Sequence, residues 1–121
     1  MKYKNRLAGY SLLILIQGLA RAATLPTGFT ESVIANISNP TAMAFAPDRR
    51  LFVCQQTGQL RMITNDTLLA TSFLQVTTDS NGERGLLGIA FDPNFGTNQW
   101  LYIYYTVPGT PAHNQIGRAH V

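Results

Sequence analysis

The chain has 121 residues, of which 45% are hydrophobic and 12% charged, and its formal net charge is +3. Four of the nine basic residues lie within the first 22 positions, so the remainder carries five arginines, six carboxylates and a net charge of about −1. That remainder has no cluster of basic residues, which argues against a surface for nucleic acid or anionic lipid.

The first 22 residues predict a signal peptide. Three basic side chains precede the apolar run Leu7–Leu19, and Ala20-Arg21-Ala22 offers the small-x-small pattern that signal peptidase recognises. An uncleaved anchor is the alternative, but the apolar run is short for a helix that needs about 20 residues to cross a bilayer. The protein is therefore predicted to be exported to the periplasm or the extracellular space, with Ala23 as its mature start and no stable membrane span after cleavage.

Short β-type segments account for most of the chain after Ala23. Val, Ile, Phe, Tyr and Thr dominate these segments, and Gly, Pro, Asn and Asp dominate the gaps. The predicted strands are Glu31–Ile37, Thr41–Ala46, Leu51–Gln55, Gln59–Ile63, Phe73–Val76, Leu86–Phe91 and Trp100–Val107. No stretch keeps a helical period over three turns, so the fold class is predicted to be all-β.

Two stretches of the chain share one plan. AMAFAPDRRLFVCQ and GIAFDPNFGTNQWLYIYYT each run from an apolar strand of small residues through a proline-containing turn into a second strand. Phe45 and Phe91 are the matching positions, and their spacing fits one four-stranded propeller blade of about 40 to 50 residues. The repeat favours two adjacent blades, while a β-sandwich is the alternative. Each blade buries its faces against neighbours, so two blades alone leave apolar surface uncovered.

Two single residues carry local predictions. Arg49 stands in the turn after Pro47 at a position where glycine is usual, so the turn is expected to be either slightly strained or of another type. Cys54 is the only cysteine in the sequence, which excludes an intrachain disulfide. A lone thiol inside an apolar segment, with no base beside it, is predicted to be a buried packing group. No zinc, calcium-loop or phosphate-loop motif is present in the sequence.

The run GERGLLGIAFDPNF places two charged residues at the start of an apolar strand. Glu83 and Arg84 are flanked by Gly82 and Gly85, which allow a positive φ or a close approach to another group. A carboxylate and a guanidinium at the mouth of a buried strand are candidates for binding a polar substrate. The alternative is a local ion pair that closes a turn, since exposed pairs are common and contribute about 0–1 kcal/mol.

Four segments between Leu25 and about Gln115 resemble, in the same order, the N-terminal part of the glucose/sorbosone dehydrogenase family. These are the soluble sugar dehydrogenases that use pyrroloquinoline quinone (PQQ). The segments are LPTGFTESVIA, NPTAMAFAPDRRLFVCQQTGQLRMI, GERGLLGIAFDPNFGTNQWLYIYYT and HNQI. The resemblance implies a six-bladed β-propeller in the full-length protein, with only about the first two blades here. It also implies that Glu83, an acidic or amide position in the family, lines the sugar pocket near the quinone, with Arg84 beside it.

The resemblance further implies a PQQ-dependent dehydrogenase that oxidises an aldose or related sugar by hydride transfer to PQQ, with calcium as a second cofactor and an external electron acceptor. The family's catalytic base, quinone-binding residues and calcium ligands match nothing in this chain. No catalytic residue is therefore predicted within the fragment, which should be inactive alone. His113 is the obvious candidate for a general base, but it matches a turn before an outer strand.

Two other functions stay open at this point. One is a non-catalytic carbohydrate- or protein-binding propeller of the hedgehog-interacting type, and the other is a sugar-lactone hydrolase built on a calcium-binding propeller. The last six residues, Ile116–Val121, depart from the family pattern and read like a translated sequencing adapter, although a short natural tail is the alternative. The predicted organisation is thus a signal peptide at 1–22, a propeller part at 23–115 and a non-native tail at 116–121.

Overall fold

A computed structural model describes residues 24–121, so the predicted signal peptide lies outside the described residues. Residues 24–31 form a unit of their own, with one turn closed by the N–H of Phe29 on the Pro26 carbonyl at 3.2 Å. The regular elements are β1 (Pro40–Phe45), β2 (Leu51–Gln55), β3 (Gln59–Thr64), β4 (Thr67–Leu68), β5 (Leu74–Gln75), β6 (Leu86–Phe91), α1 (Phe95–Asn98), β7 (Trp100–Val107) and β8 (His113–His120). Within the described part, no helix is both long enough and apolar enough to span a bilayer. The prediction of an all-β chain is confirmed.

The strands form two antiparallel sheets. In the first sheet β1, β2 and β3 are neighbours, and β4 and β5 pair with successive parts of the other edge of β3, so the two short strands act as one interrupted outer strand. The second sheet has the order β6-β7-β8. A three- or four-stranded antiparallel meander is the form of a propeller blade, and the chain therefore holds two blades.

The internal repeat is reproduced residue by residue. Phe45 ends β1 and pairs with Leu51, and Phe91 ends β6 and pairs with Leu101. The two phenylalanines differ in what covers them: Phe45 is 69% exposed, whereas the ring of Phe91 lies 5.4 Å from that of Phe52 in the first sheet. The first sheet thus packs on the second, and within residues 24–121 the equivalent face of the first sheet is exposed at Phe45, as expected for two blades of a longer ring.

The hydrophobic core lies between the two sheets. The first sheet contributes Phe52, Cys54 and Leu60, and the second contributes Leu86, Leu101 and Ile103, all at most 3% exposed. A hydrogen bond also joins the two sheets: the Thr41 hydroxyl donates to the Leu86 carbonyl at 2.5 Å. Cys54 is fully buried, as predicted for a packing group, and this burial raises the pKa of its thiol to about 11.

Two predictions about strands were wrong. Residues 31–37, predicted as a strand, form none, because a segment of β-type residues becomes a strand only where a neighbour offers hydrogen bonds. The opposite error occurs at His113, predicted in a turn, which is the first residue of β8. The polar sequence of β8 has weak strand propensity, but β7 offers it an open edge, and the two strands pair from Trp100↔His120 to Val107↔His113. Residues 116–120, within the predicted non-native tail, belong to this strand, and their origin stays a prediction.

The turn between β1 and β2 is strained at Arg49, which is one of the two predicted alternatives. Arg49 has φ +73°, and the turn is closed by its N–H on the Ala46 carbonyl at 2.9 Å. The next residue, Arg50, binds Asp48 through Nε at 2.9 Å and Nη2 at 2.5 Å. The side-chain hydrogen bond from Arg50 lowers the pKa of the Asp48 carboxyl below its ordinary value.

Replacing Arg49 with glycine is expected to raise the free energy of unfolding by about 0.5–1 kcal/mol, because glycine adopts a positive φ without the steric cost of a Cβ atom. Urea unfolding measures the change, with Arg50→Gly as the neighbouring control. Arg50→Gly removes the contact with Asp48 and should lower the stability. A lower urea midpoint for Arg49→Gly would mean that the Arg49 side chain makes a contact that outweighs its backbone strain.

Candidate functional site

The predicted site residues Glu83 and Arg84 lie in the connection from β5 to β6, which passes from the first sheet to the second. We call residues 79–85 the site loop. Gly82 has φ +59°, and Gly85 has φ +140° and lies so close to Gln56 that a Cβ atom there would overlap the Gln56 carbonyl oxygen. Both properties predicted for the flanking glycines, a positive φ and a close approach, are confirmed.

Thr106 near the end of β7 fixes both ends of the site loop. The Thr106 N–H donates to the Gly85 carbonyl at 2.9 Å, and the Thr106 carbonyl accepts from the Asp79 N–H at 3.0 Å and the Thr78 hydroxyl at 2.7 Å. The hydroxyl of Thr106 in turn donates to the Asn114 side-chain oxygen at 3.0 Å. Thr106 is only 3% exposed, so its polar atoms need these partners. The base of the loop is therefore anchored to the second blade.

Arg84 forms an ion pair inside the loop with Asp79. Its Nη1 lies 2.6 Å from Oδ2 of Asp79, and the Asp79 side chain is 12% exposed while that of Arg84 is 55% exposed. Oδ1 of Asp79 accepts the Asn81 backbone N–H at 3.1 Å and the Asn81 side-chain amide at 2.8 Å. The hydrogen bonds, first from the Asn81 backbone and then from Arg84, hold the pKa of Asp79 below its ordinary value.

Glu83 lies at the exposed tip of the loop. Among the described residues it takes part in no ion pair and no hydrogen bond, since the guanidinium of Arg84 binds Asp79 instead. A carboxylate held in this way has two acceptor oxygens open to a donor such as a sugar hydroxyl. The structure thus brings Glu83 and Arg84 into one loop but gives them different contacts.

Asp79, Gln56 and Thr106 are parts of this site that the sequence analysis did not identify. The Asp-x-Asn spacing at 79–81 is a local signal for a turn in which a side chain binds the backbone, and it could have indicated Asp79. No local signal could have indicated Gln56, because its contacts reach 26 and 28 residues along the chain.

The described residues do not supply a complete site for a quinone or a metal ion. No group of three or more His, Cys, Asp or Glu side chains in residues 24–121 is arranged to hold a metal. An anionic quinone requires a cluster of cations, and Arg84, the cation of the site loop, is already paired with Asp79. His113 is exposed on β8. The Glu83 carboxylate of the site loop is free to accept hydrogen bonds from a polar molecule.

The family model for glucose/sorbosone dehydrogenase matches residues 37–121 of the chain, which includes both sheets and the site loop. The chain belongs to the glucose/sorbosone dehydrogenase family. The resemblance stated from the four sequence segments is confirmed.

Individual relatives agree with this assignment. Over 104 residues the chain is 25% identical to quinoprotein glucose dehydrogenase B of Acinetobacter calcoaceticus. The alignment covers 75% of this chain and 22% of that protein. An oxidoreductase of Thermus thermophilus, named as a glucose dehydrogenase, is similar in structure with a TM-score of 0.67 and 30% identity, covering 75% of the chain and 28% of that protein.

A third relative was solved with a cofactor. The PQQ-bound aldose sugar dehydrogenase of Streptomyces coelicolor has a TM-score of 0.60 and 27% identity, covering 69% of this chain and 25% of its own. The chain thus spans between about a fifth and a third of the length of these dehydrogenases. Their shared architecture places this sequence within one part of the family's β-propeller.

Proposed function

We propose that the full-length protein containing this chain is an exported PQQ-dependent dehydrogenase that oxidises an aldose or related sugar and passes the electrons to an external acceptor. The observation that carries the proposal is the family match across residues 37–121. The PQQ-bound aldose sugar dehydrogenase among the structural relatives supports both the cofactor and the class of substrate. The predicted signal peptide at 1–22 supports export to the periplasm or the extracellular space.

Glu83 is the proposed sugar-binding residue. Its carboxylate is exposed at the tip of a braced loop, and within the described residues no cation pairs with it, so both oxygens can accept hydrogen bonds from sugar hydroxyls. Arg84 is proposed to orient Glu83 through the ion pair with Asp79, which fixes the backbone on the C-terminal side of Glu83. This division of roles follows from the contacts, since Arg84 is bound to Asp79 and Glu83 has no partner among the described residues.

PQQ supplies the redox chemistry when it is bound, and the protein supplies orientation and binding. Residues 24–121 lack a cation cluster for the quinone, a cluster of metal-binding side chains for calcium, and a placed base. We therefore propose that these groups come from the other blades of the ring, with the propeller part at 23–115 contributing the sugar-facing loop. No catalytic residue is assigned within the chain.

Replacing Glu83 with alanine in the full-length, PQQ-reconstituted protein is expected to raise KM for the sugar about 10- to 100-fold, because hydrogen bonds to a charged group contribute about 1.5–3 kcal/mol each. Sugar-driven reduction of an artificial electron acceptor, measured with and without PQQ, provides the readout. Glu83→Gln keeps the shape and one acceptor oxygen, so its effect should be smaller.

Asp66→Asn is the matched control, since Asp66 is an exposed carboxylate in the turn between β3 and β4, at the other end of the first sheet. Its KM should equal that of the unmutated protein. An unchanged KM for Glu83→Ala would remove Glu83 from the sugar site. Failure of the unmutated protein to reduce the acceptor with any aldose in the presence of PQQ would refute the proposed function itself.

A further inference from the structure

Gln56, in the turn between β2 and β3, holds the backbone on both sides of Glu83. Its side-chain amide nitrogen donates to the Gly82 carbonyl at 2.6 Å and to the Arg84 carbonyl at 2.9 Å. Its own backbone carbonyl accepts the Leu86 N–H at 3.1 Å. A single residue of the first blade therefore contacts three residues of a segment that leads into the second blade.

The geometry of these bonds determines the direction of the Glu83 side chain. The Gly82 carbonyl belongs to the peptide unit that precedes Glu83, and the Arg84 carbonyl belongs to the second unit after it. One planar amide group with two N–H donors fixes both units at once. The direction of the Glu83 Cα–Cβ bond follows from the orientation of its flanking peptide units. The Gln56 amide fixes the unit before Glu83 and the second unit after it, so it limits where the carboxylate can lie.

Three other contacts support the same segment without replacing Gln56, one of them the hydrogen bond from the Arg84 N–H to the Asn81 carbonyl at 3.2 Å, which closes the turn around Gly82 and Glu83. Thr106 anchors the base of the loop through Gly85, and the Asp79–Arg84 pair closes it from within. None of these contacts reaches the Gly82 carbonyl, which accepts a hydrogen bond only from Gln56 among the described residues. The tip of the loop, where Glu83 lies, thus depends on the Gln56 amide.

We propose that Gln56 is a positioning residue for the sugar site: its amide holds the site loop so that the Glu83 carboxylate faces the substrate. This inference rests on the proposed function. Gln56 acts from a neighbouring blade, so the site needs the contact between two blades as well as the loop itself. The role requires a side chain with two donors on one planar group, a requirement that methionine and glutamate of similar size do not meet.

The test uses Gln56→Met and Gln56→Glu in the full-length protein reconstituted with PQQ. Both variants keep the approximate size of the side chain and remove its two donors. KM for the sugar is expected to rise about three- to tenfold with kcat changed less than about twofold, because a loosened loop weakens the binding of the sugar more than it affects the chemical step. When Gln56→Met is combined with Glu83→Ala, it should cause no further rise in KM for the sugar.

Gln75→Met is the matched control. The Gln75 amide also donates to two backbone carbonyls, those of Thr57 at 3.3 Å and Val76 at 3.2 Å, but it does not touch the site loop. Its KM should equal that of the unmutated protein. Hydrogen exchange adds a readout that does not depend on activity. The backbone amides of residues 82–86 should exchange faster in Gln56→Met than in the unmutated protein, and at an unchanged rate in Gln75→Met. The other strands should remain protected in both variants.

The outcomes separate the two proposals. If the unmutated protein reduces the acceptor but Gln56→Met behaves like Gln75→Met, the positioning role is overturned and the proposed function stands. The same conclusion follows if Gln56→Met raises KM equally in the presence and absence of Glu83, since that result indicates a general structural role. If the unmutated protein shows no PQQ-dependent sugar oxidation, both proposals fail.

Discussion

Replacing Phe52 with alanine is expected to lower the free energy of unfolding by about 3–5 kcal/mol. Phe52 is fully buried, with 0% of its surface exposed, and its ring meets those of Phe73 and Phe91 edge to face, each at 5.4 Å between ring centres. Phe91 continues this contact to Phe95 at 5.0 Å. The truncation would open a cavity at the joint between the two sheets. Urea unfolding followed by the fluorescence of Trp100, the only tryptophan of the sequence, measures the loss.

Phe45→Ala is the control, because Phe45 is the repeat partner of Phe91 but is 69% exposed in this chain. Its truncation here should change the free energy of unfolding by no more than about 0.5 kcal/mol, the range usual for exposed positions. Equal losses for Phe52→Ala and Phe45→Ala would contradict a core located between the two sheets.

Replacing Gly85 with alanine is expected to cost about 3 kcal/mol or more, because a strained backbone conformation and an overlap with backbone atoms each contribute roughly 1–3 kcal/mol. Gly85 has φ +140°, and an added Cβ would meet the Gln56 carbonyl oxygen and lie 2.7 Å from Gln56 Cγ. Relief of the overlap would require the loop to move away from Gln56. Urea unfolding measures the cost in stability, and KM for the sugar in the full-length protein reports the displacement of Glu83.

Gly82→Ala provides the comparison, since Gly82 has φ +59° but no atom within 4 Å of an added Cβ. It should cost about 1–2 kcal/mol from the left-handed backbone alone. The difference between the two variants isolates the close approach of the loop to Gln56. If Gly85→Ala cost no more than Gly82→Ala, the loop would not be tightly packed on Gln56.

Three strands of the two blades were predictable because their residues carry the signal themselves. Leu51–Gln55, Leu86–Phe91 and Trp100–Val107 combine β-branched and aromatic side chains with bounding turn residues, and all three occur at the predicted positions. The repeat likewise follows from local sequence, since each blade begins with the same pattern of small and aromatic residues. These features depend little on the rest of the chain.

The outer strands were less predictable because they depend on a partner. Residues 31–37 are rich in β-type side chains but form no strand, whereas the polar segment His113–His120 becomes a strand along the edge of β7. An edge strand gains its hydrogen bonds from its neighbour, so its own composition is a weak guide. Single-sequence patterns therefore identify strands rich in β-branched and aromatic residues better than strands that depend on a neighbour for their pairing.

The same distinction applies to the site. Glu83 could be singled out because its charge and flanking glycines are unusual at the start of an apolar strand. The partner of Arg84 could not be assigned, since Asp79 and Glu83 are both close in sequence and only the folded loop selects Asp79. Gln56 could not be found at all, because its role arises where two blades meet. The sequence thus indicates the residue proposed to face the substrate, and the structure adds the residues that hold it.

A crystal structure of the full-length protein with PQQ and an aldose bound would test the central claim most directly, through the distance between the Glu83 carboxylate and the sugar. A Glu83 oxygen is expected within about 2.6–3.2 Å of a sugar hydroxyl, with Gln56 still bound to the Gly82 and Arg84 carbonyls. A sugar bound elsewhere, with the Glu83 carboxylate facing bulk solvent, would contradict the account.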